Sequence, residues 1–351
     1  MGRKNYKIIQ TSILKFEQKI NTKLWLAPLH GITYYNFRNC FLKHFHGIDC
    51  AITPFVAARA KDKLNSQKIP DLFPEHNKMF PIIPQLMGNK PDEIKETAIV
   101  LNETFGYKHF NWNIGCPMNQ IVRKKRGCGL MPFADLIEEV VNEVCGKTSI
   151  RFSLKMRLGL NSPKEGLEVL QRLTPYPIDF LCIHPRLGIQ QYEGNVDLDA
   201  FEIFYQTTNH KIVYSGDINN VDFFAYLINR FPKIENWMLG RGILQNPFLA
   251  EEIVNFAESK KQKEIPVTLS SKSTLTTRFI DFYKEYSNTL VALKGEKIAL
   301  GSLKELWHYF AFFWKLNSEE LKKILHTTDY HTFDKKVQEI IFNFHFSILN
   351  F

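Results

Sequence analysis

Four apolar runs decide the fold: IRFSLKMR (150–157), DFLCIHPR (179–186), KIVYSG (211–216) and NWMLGRG (236–242). Each is short, nearly continuous in apolar character and bounded by turn residues. A parallel strand reads this way when both of its faces are covered. Between them, PKEGLEVLQRL and NVDFFAYLINRF space their apolar residues three and four apart, as on one face of a helix. The same alternation extends upstream through KLWLAP (23–28), DCAITPF (49–55), FPIIPQLMG (80–88) and KHFNWNIG (108–115). Helical stretches again intervene: KPDEIKETAIVLNETF, then ADLIEEVVNEVCG, which ends at Gly146 as a helix C-terminus should. The eight runs start roughly 25–45 residues apart, the length of a βα unit. This predicts an α/β chain folded as a (β/α)8 TIM barrel, with an open doubly wound sheet as the alternative.

The rhythm then stops. ESKKQKEIPVTLSSKS (258–273) is polar and reads as a linker, and from Leu275 onward only helical periodicity remains, over 274–293, 297–315, 317–326 and 332–349. The expected organisation is an N-terminal extension (1–22), the barrel (23–257), the linker, and a small all-helical C-terminal domain (274–351). A chain of 351 residues buries enough core to need no staples. Its six cysteines include no CxxC pair, which argues against a zinc ribbon and a disulfide scaffold and fits a reducing cytoplasm, with no metal. The first 20 residues lack the apolar core of a secretory signal. WHYFAFFW (307–314) is far too short to span a bilayer, so no membrane partner is expected. The net charge of +9 permits a polyanionic partner but is dispersed: residues 1–22 carry five basic residues against one acidic, and residues 270–351 carry 11 against nine. Any nucleic-acid site must come from a local arrangement.

In such a barrel the chemistry sits at the C-terminal ends of the strands. Reading those ends in order gives Pro28, Gln85, Asn113 with Cys116, Lys155 with Arg157, His184 with Arg186, Ser215-Gly216-Asp217 and Gly240-Arg241-Gly242. The last two groups follow the seventh and eighth strands, the usual phosphate-gripping place. Their glycines let backbone N–H groups approach phosphate oxygens, and Arg241 adds a charged contact. Lys155 has three readings: a Schiff base, a donor to an electron-rich cofactor ring, or the partner of a carboxylate. Arg157 shares its side-chain parity and lowers its proton affinity. Cys116 precedes a proline in a tight turn and should be partly exposed. Downstream, Arg123, Lys124, Lys125 and Arg126 form a basic run, a solvated face in most proteins. Beside a candidate active-site thiol it can grip a polyanionic backbone.

The blocks LAPLHGITYYNFR, PQLMG, NWNIGCP, LKMRLG, IHPRLGIQQYEG, SGDI and LGRGILQNPFL, in this order, closely resemble those of the tRNA-dihydrouridine synthases. The resemblance covers roughly residues 23–250, and a helical C-terminal domain follows in the family too, so that 274–351 is expected to bind tRNA. It implies an FMN enzyme that reduces the C5=C6 bond of particular uridines in tRNA at the expense of NADPH. Carried over position by position, it implies that Pro28, Leu29 and His30 lie along the flavin and that Gln85 and Lys155 bond its ring with His184 beside them. Ser215, Gly216, Asp217, Gly240 and Arg241 then hold the phosphate, Asn113 contacts the uridine, and Cys116 is the catalytic acid. Arg157, Arg186 and the 123–126 run are the expected substrate contacts. Ser215 stands where the family usually has Asn, Pro185 where it has Gly, and His30 and Tyr34 replace the commoner residues of the first block. Cys128, a second thiol between two glycines, reads as structural. A monomer is expected. The competing functions are a dehydrogenase of a free pyrimidine, a Schiff-base aldolase and a non-catalytic RNA-binding barrel.

Overall fold

The computed structural model describes residues 22–61, 69–262 and 272–349. The expected N-terminal extension, Thr22 apart, and most of the linker lie outside the described residues.

The strands are β1 (Lys23–Leu26), β2 (Cys50–Ile52, resuming at Val56–Ala57), β3 (Ile82–Ile83, resuming at Gln85–Met87), β4 (His109–Ile114), β5 (Arg151–Gly159), β6 (Ile178–Leu187), β7 (Ile212–Ser215) and β8 (Asn236–Leu239). All pair in parallel. β8 returns to β1 through Trp25↔Met238, and β2 meets β3 twice, through Ala51↔Ile82 and Val56↔Leu86. The circuit therefore closes without a free edge, as in a TIM barrel. Proline accounts for both interruptions, since Pro54 and Pro84 have no N–H for the ladder. Pro84 still accepts from Asn111 N at 2.9 Å, so β3 stays stitched to β4.

Period-2 alternation sets what faces where. On β5, Phe152, Leu154, Met156 and Leu158 belong to the main core beneath the helices. Ser153, Lys155 and Arg157 point the other way, into the barrel. That interior holds a small apolar cluster of Ala27, Ile52, Ile83, Phe180, Cys182, Val213 and Met238. Asn111, Gln85 and Ser153 fill the rest, all fully buried.

The outer layer is α1 (Tyr35–His44), α2 (Pro91–Phe105), α3 (Ala134–Cys145), α4 (Pro163–Leu173), α5 (Leu198–Thr207), α6 (Val221–Arg230) and α7 (Leu249–Gln262). Ser162, Asp197 and Asn220 cap α4, α5 and α6 with their side-chain oxygens. Between β2 and β3 the described residues include two short 3-10 turns opened by proline, Pro70–Leu72 and Pro74–His76.

The C-terminal helices are α8 (Lys272–Lys294), α9 (Glu296–Phe313), α10 (Ser318–Leu325) and α11 (Tyr330–Leu349). Phe37, Phe41 and Phe45 form an i, i+4, i+8 row on α1 and at its end, and each packs on Phe282 of α8 with ring centroids 5.2–5.9 Å apart. Arg278 locks the same junction by pairing with Glu251 and donating to the His44 carbonyl. Each buried ring contributes about 2–3 kcal/mol. This docking lays α9 over the barrel mouth. No helix among the described residues is long and apolar enough to cross a membrane.

Candidate active site

A cavity of about 510 Å³ opens at the C-terminal ends of the strands. Its wall includes Pro28, Leu29, His30, Asn113, Cys116, Lys155, Arg157, His184, Ser215, Gly216, Asp217, Gly240 and Arg241, thirteen of the positions expected from the sequence. Gln85 lies beneath it, fully buried. Arg186 and the 123–126 run do not line it.

A string of hydrogen bonds under the floor gives the site its order. The backbone N–H groups of Gly115 and Cys116 donate to Asn113 Oδ1 at 3.1 and 3.0 Å. Asn113 Nδ2 donates to Gln85 Oε1, and Gln85 Nε2 to Asn111 Oδ1, both at 2.8 Å. Asn111 Nδ2 donates to Ser153 Oγ at 3.0 Å, which lies 3.0 Å from His109 Nε2. His109 Nδ1 is 3.4 Å from Asp179, which Arg151 holds at 2.7 Å. A backbone N–H can only donate, so the Cys116 end fixes every amide orientation down the string. Ser153 Oγ–H has two acceptors in reach, His109 Nε2 at 3.0 Å and the Phe110 carbonyl at 3.4 Å; an imidazole that is neutral and gives its Nδ1 proton to Asp179 takes the nearer one on Nε2. Burial pushes the His109 pKa down to about 4, although Asp179 opposes that shift.

Cys116 is half-buried on the loop leaving β4. Burial raises its pKa, against smaller lowering effects of Arg157 and Lys155, so the thiol carries its proton at neutral pH. Gly127 makes the loop possible. Its φ is +54°, and a Cβ there would stand 2.5 Å from the Cys116 carbonyl oxygen. Cys128 N closes the loop onto that same oxygen at 3.0 Å. The Cys128 thiol is fully buried, off the cavity, with its pKa pushed up to about 11 by burial.

The Lys155 ammonium makes no hydrogen bond or ion pair among the described residues, and burial lowers its pKa. Arg186 NH1 donates to His184 Nε2 at 3.0 Å, so His184 is neutral. Burial and the surrounding cations hold its pKa well below the usual value. Arg186 is only 2% exposed and pairs bidentately with Asp217, which also accepts from Arg241 at 3.1 Å. Two guanidiniums and one carboxylate leave this corner one positive charge in excess. Asp217 holds φ +46°, a left-handed turn gripped by both arginines. A Cβ on Gly242 would meet the Ile218 carbonyl at 2.1 Å, so the loops after β7 and β8 pack backbone to backbone. Arg157 is buried, bonding the Gly115 and Leu187 carbonyls at 3.1 and 2.8 Å.

His30 is exposed, stacked 5.2 Å from Phe55, with Nδ1 3.2 Å from the Tyr34 hydroxyl. Arg123, Lys124 and Lys125 are exposed and Arg126 half-buried, on the loop that Cys116 opens. Among the described residues no three His, Cys, Asp or Glu side chains gather as a metal requires. Sequence reasoning missed Phe55, Tyr192, Glu305 and Tyr309, which also line the cavity. Tyr192 lies in the quoted IQQYEG block. Glu305 and Tyr309 share a face of α9 by their i, i+4 spacing, but nothing local says that this face meets the barrel.

The family model described as Dihydrouridine synthase (Dus) matches residues 25–339. The chain belongs to the dihydrouridine synthase family. Among relatives of this dihydrouridine synthase, the probable tRNA-dihydrouridine synthase of Rickettsia prowazekii is 25% identical over 280 residues, 79% of this chain and 84% of that protein. The tRNA-dihydrouridine synthase B of Pasteurella multocida is 26% identical over 236 residues, 66% and 68% of the two chains. Among solved structures, the old yellow enzyme from Trypanosoma cruzi aligns at 10% identity with a TM-score of 0.49, covering 77% of this chain and 97% of that one, a likeness too distant to bear on the chemistry.

Proposed function

We propose that this dihydrouridine synthase uses FMN to reduce uridines in tRNA to 5,6-dihydrouridine, with Cys116 as the proton donor. The observation that carries the reading is the convergence of a protonated, half-buried thiol, an unpartnered ammonium and a glycine-lined cationic corner in one cavity of a family member.

The residues present fit the flavin. Gly216 and Gly240 bring backbone to the cavity wall, a Cβ on Gly216 would strike Pro185 and Val196 behind it, and the corner's excess positive charge suits a phosphate. Lys155 remains for the ring of the cofactor, whereas Gln85, expected to bond that ring, is sealed beneath the cavity and acts through Asn113. When bound and reduced by NADPH, the flavin supplies a hydride for C6 of the uracil.

Cys116 meets the negative charge that then develops at C5. Its S–H bond breaks, the proton goes to C5, and the thiolate is reprotonated from solvent. Lys155 and Arg157 stabilise the thiolate in that interval. Asn113 serves twice. Its Oδ1 holds the Cys116 loop through two backbone N–H groups, and its remaining amide hydrogen is available to a uracil carbonyl. The neutral His184 adds no positive charge beside the ring. Arg157 and Arg186 support the site through the carbonyls and the carboxylate they bind. The Arg123–Arg126 run and α9 are offered to the tRNA backbone and to the mouth of the site. A uridine must leave its stack to enter.

The test is single-turnover oxidation of the prereduced enzyme by unmodified tRNA. Cys116→Ala is expected to keep its flavin and its tRNA binding while losing roughly 10²–10⁴-fold in rate, the worth of a positioned acid. Cys128→Ala is expected to stay within about tenfold of wild type. Wild-type reoxidation by Cys116→Ala would overturn the assignment of the acid.

A further inference from the structure

Beside the catalytic cavity lies a second cleft of about 370 Å³, lined by Pro117, Met118, Asn119, Gln120, Gln191 and Tyr192. Pro117, Met118 and Tyr192 line both spaces, so the Tyr192 ring partitions one continuous surface. The guanidiniums of Arg157 and Arg241, both of the catalytic cavity, stand 5.4 and 5.6 Å from that ring's centroid and steady it.

The chemistry of this cleft differs from that of its neighbour. None of its six lining residues is charged, so it is not built for phosphate. It offers an aromatic ring that is 53% exposed and a thioether that is 38% exposed. It also offers three carboxamides, on Asn119, Gln120 and Gln191. Gln191 is held at φ +50°, a strained position for a residue with a Cβ, and its N–H is tied to the Gly188 carbonyl at 2.9 Å. A flat π-surface flanked by groups that both donate and accept matches a neutral heterocycle with a polar edge. Unstacked RNA bases are recognised in this way, by an aromatic face and by hydrogen bonds to their edges.

We propose that this cleft is a subsite for the nucleobase next to the target uridine in the RNA chain. That base stacks on Tyr192 and Met118 and is read at its edge by Asn119, Gln120 and Gln191. The proposal rests on the tRNA reading above. Continuity of the two spaces supplies the geometry: a uridine in the catalytic cavity places its neighbour at the partition. The basic run that follows at Arg123 lies on the same loop, where the connecting backbone would pass.

The test pairs a protein change with an RNA change. The double variant Gln120→Ala, Gln191→Gly removes two of the carboxamides, and glycine suits the left-handed backbone at the second position. Retained flavin and an unchanged melting temperature establish that the variant is folded. With tRNA its KM is expected to rise about 3- to 10-fold at unchanged kcat, the worth of one or two hydrogen bonds. The target uridine is mapped by mass spectrometry, and tRNAs carrying an abasic nucleotide on its 5′ or 3′ side are then assayed. One of the two is expected to weaken binding to wild type about 5- to 100-fold, the range of a lost stack. The double variant is expected to feel that abasic change less. Equal abasic losses in wild type and variant, or no loss from either side, overturn the subsite while leaving tRNA reduction intact. A wild-type enzyme that reduces no uridine in tRNA overturns the functional reading instead, and the subsite with it.

Discussion

Replacing Asn111 by leucine cuts the string of hydrogen bonds beneath the cavity at its middle. Two partners are affected, and unequally. Gln85 Nε2 loses the oxygen it meets at 2.8 Å, and no water can replace that oxygen, because Gln85 and Asn111 are both 0% exposed. An unmet buried donor costs about 1–3 kcal/mol. Ser153 loses one incoming bond but keeps its own donation to His109, a loss of about 0.5–1.5 kcal/mol. The added apolar burial of leucine returns about 1 kcal/mol. The expected net destabilisation is therefore about 0.5–3.5 kcal/mol, read as a shift in the urea midpoint at pH 7. The functional effect follows from direction: a Gln85 amide free to turn no longer holds Asn113, and Asn113 holds the Cys116 loop. The single-turnover rate with tRNA should fall about tenfold with the flavin retained. Ser153→Ala breaks the same string one residue further on, so the double variant should lose less than the two singles added together. A leucine variant within about 0.5 kcal/mol of wild type, or strictly additive losses, would refute the string as an ordering device.

The barrel was legible because parallel strands under helices must be apolar on both faces, and such runs survive in a single sequence. All eight runs became strands. The breaks in β2 and β3 were visible too, as Pro54 and Pro84, but their consequence depends on partners in the neighbouring strand. Strand-end reading also located most of the cavity wall, since parity puts Lys155 and Arg157 on the inner side of β5. It could not say how deep each side chain sits. Arg186 looks like a rim cation in the sequence. In the fold it is buried, because Asp217, 31 residues away, is brought opposite it by the pairing of β6 with β7. Gln85 and Asn111 read as ordinary polar residues in apolar runs. Only the closed barrel brings their amides within 2.8 Å. Glu305 and Tyr309 were out of reach for another reason. They enter the site through the docking of α8 on α1, a contact made by phenylalanines that in sequence read only as core.

Arg241→Ala removes the cation that Asp217 holds at the proposed phosphate corner. A charged hydrogen bond of about 1.5–3 kcal/mol corresponds to roughly 10- to 150-fold in affinity, so the purified variant should have lost most of its flavin absorbance, and full occupancy would contradict the phosphate assignment. The last expectation concerns pH, and its sign follows from His109: burial holds its pKa near 4 in the native state, whereas in the unfolded chain it titrates near 6.5. Between those values the unfolded state binds a proton that the native state refuses, so this contribution to stability is present above about pH 6.5 and is lost as pH falls toward 4, with a slope of up to about 1.4 kcal/mol per pH unit. His109→Gln keeps an acceptor for Ser153 but cannot titrate, so urea unfolding at pH 7, 6 and 5 should show a flatter decline than wild type; parallel declines would mean that the fold does not lower the proton affinity of the imidazole, and would overturn its reading as a neutral acceptor at the end of the string.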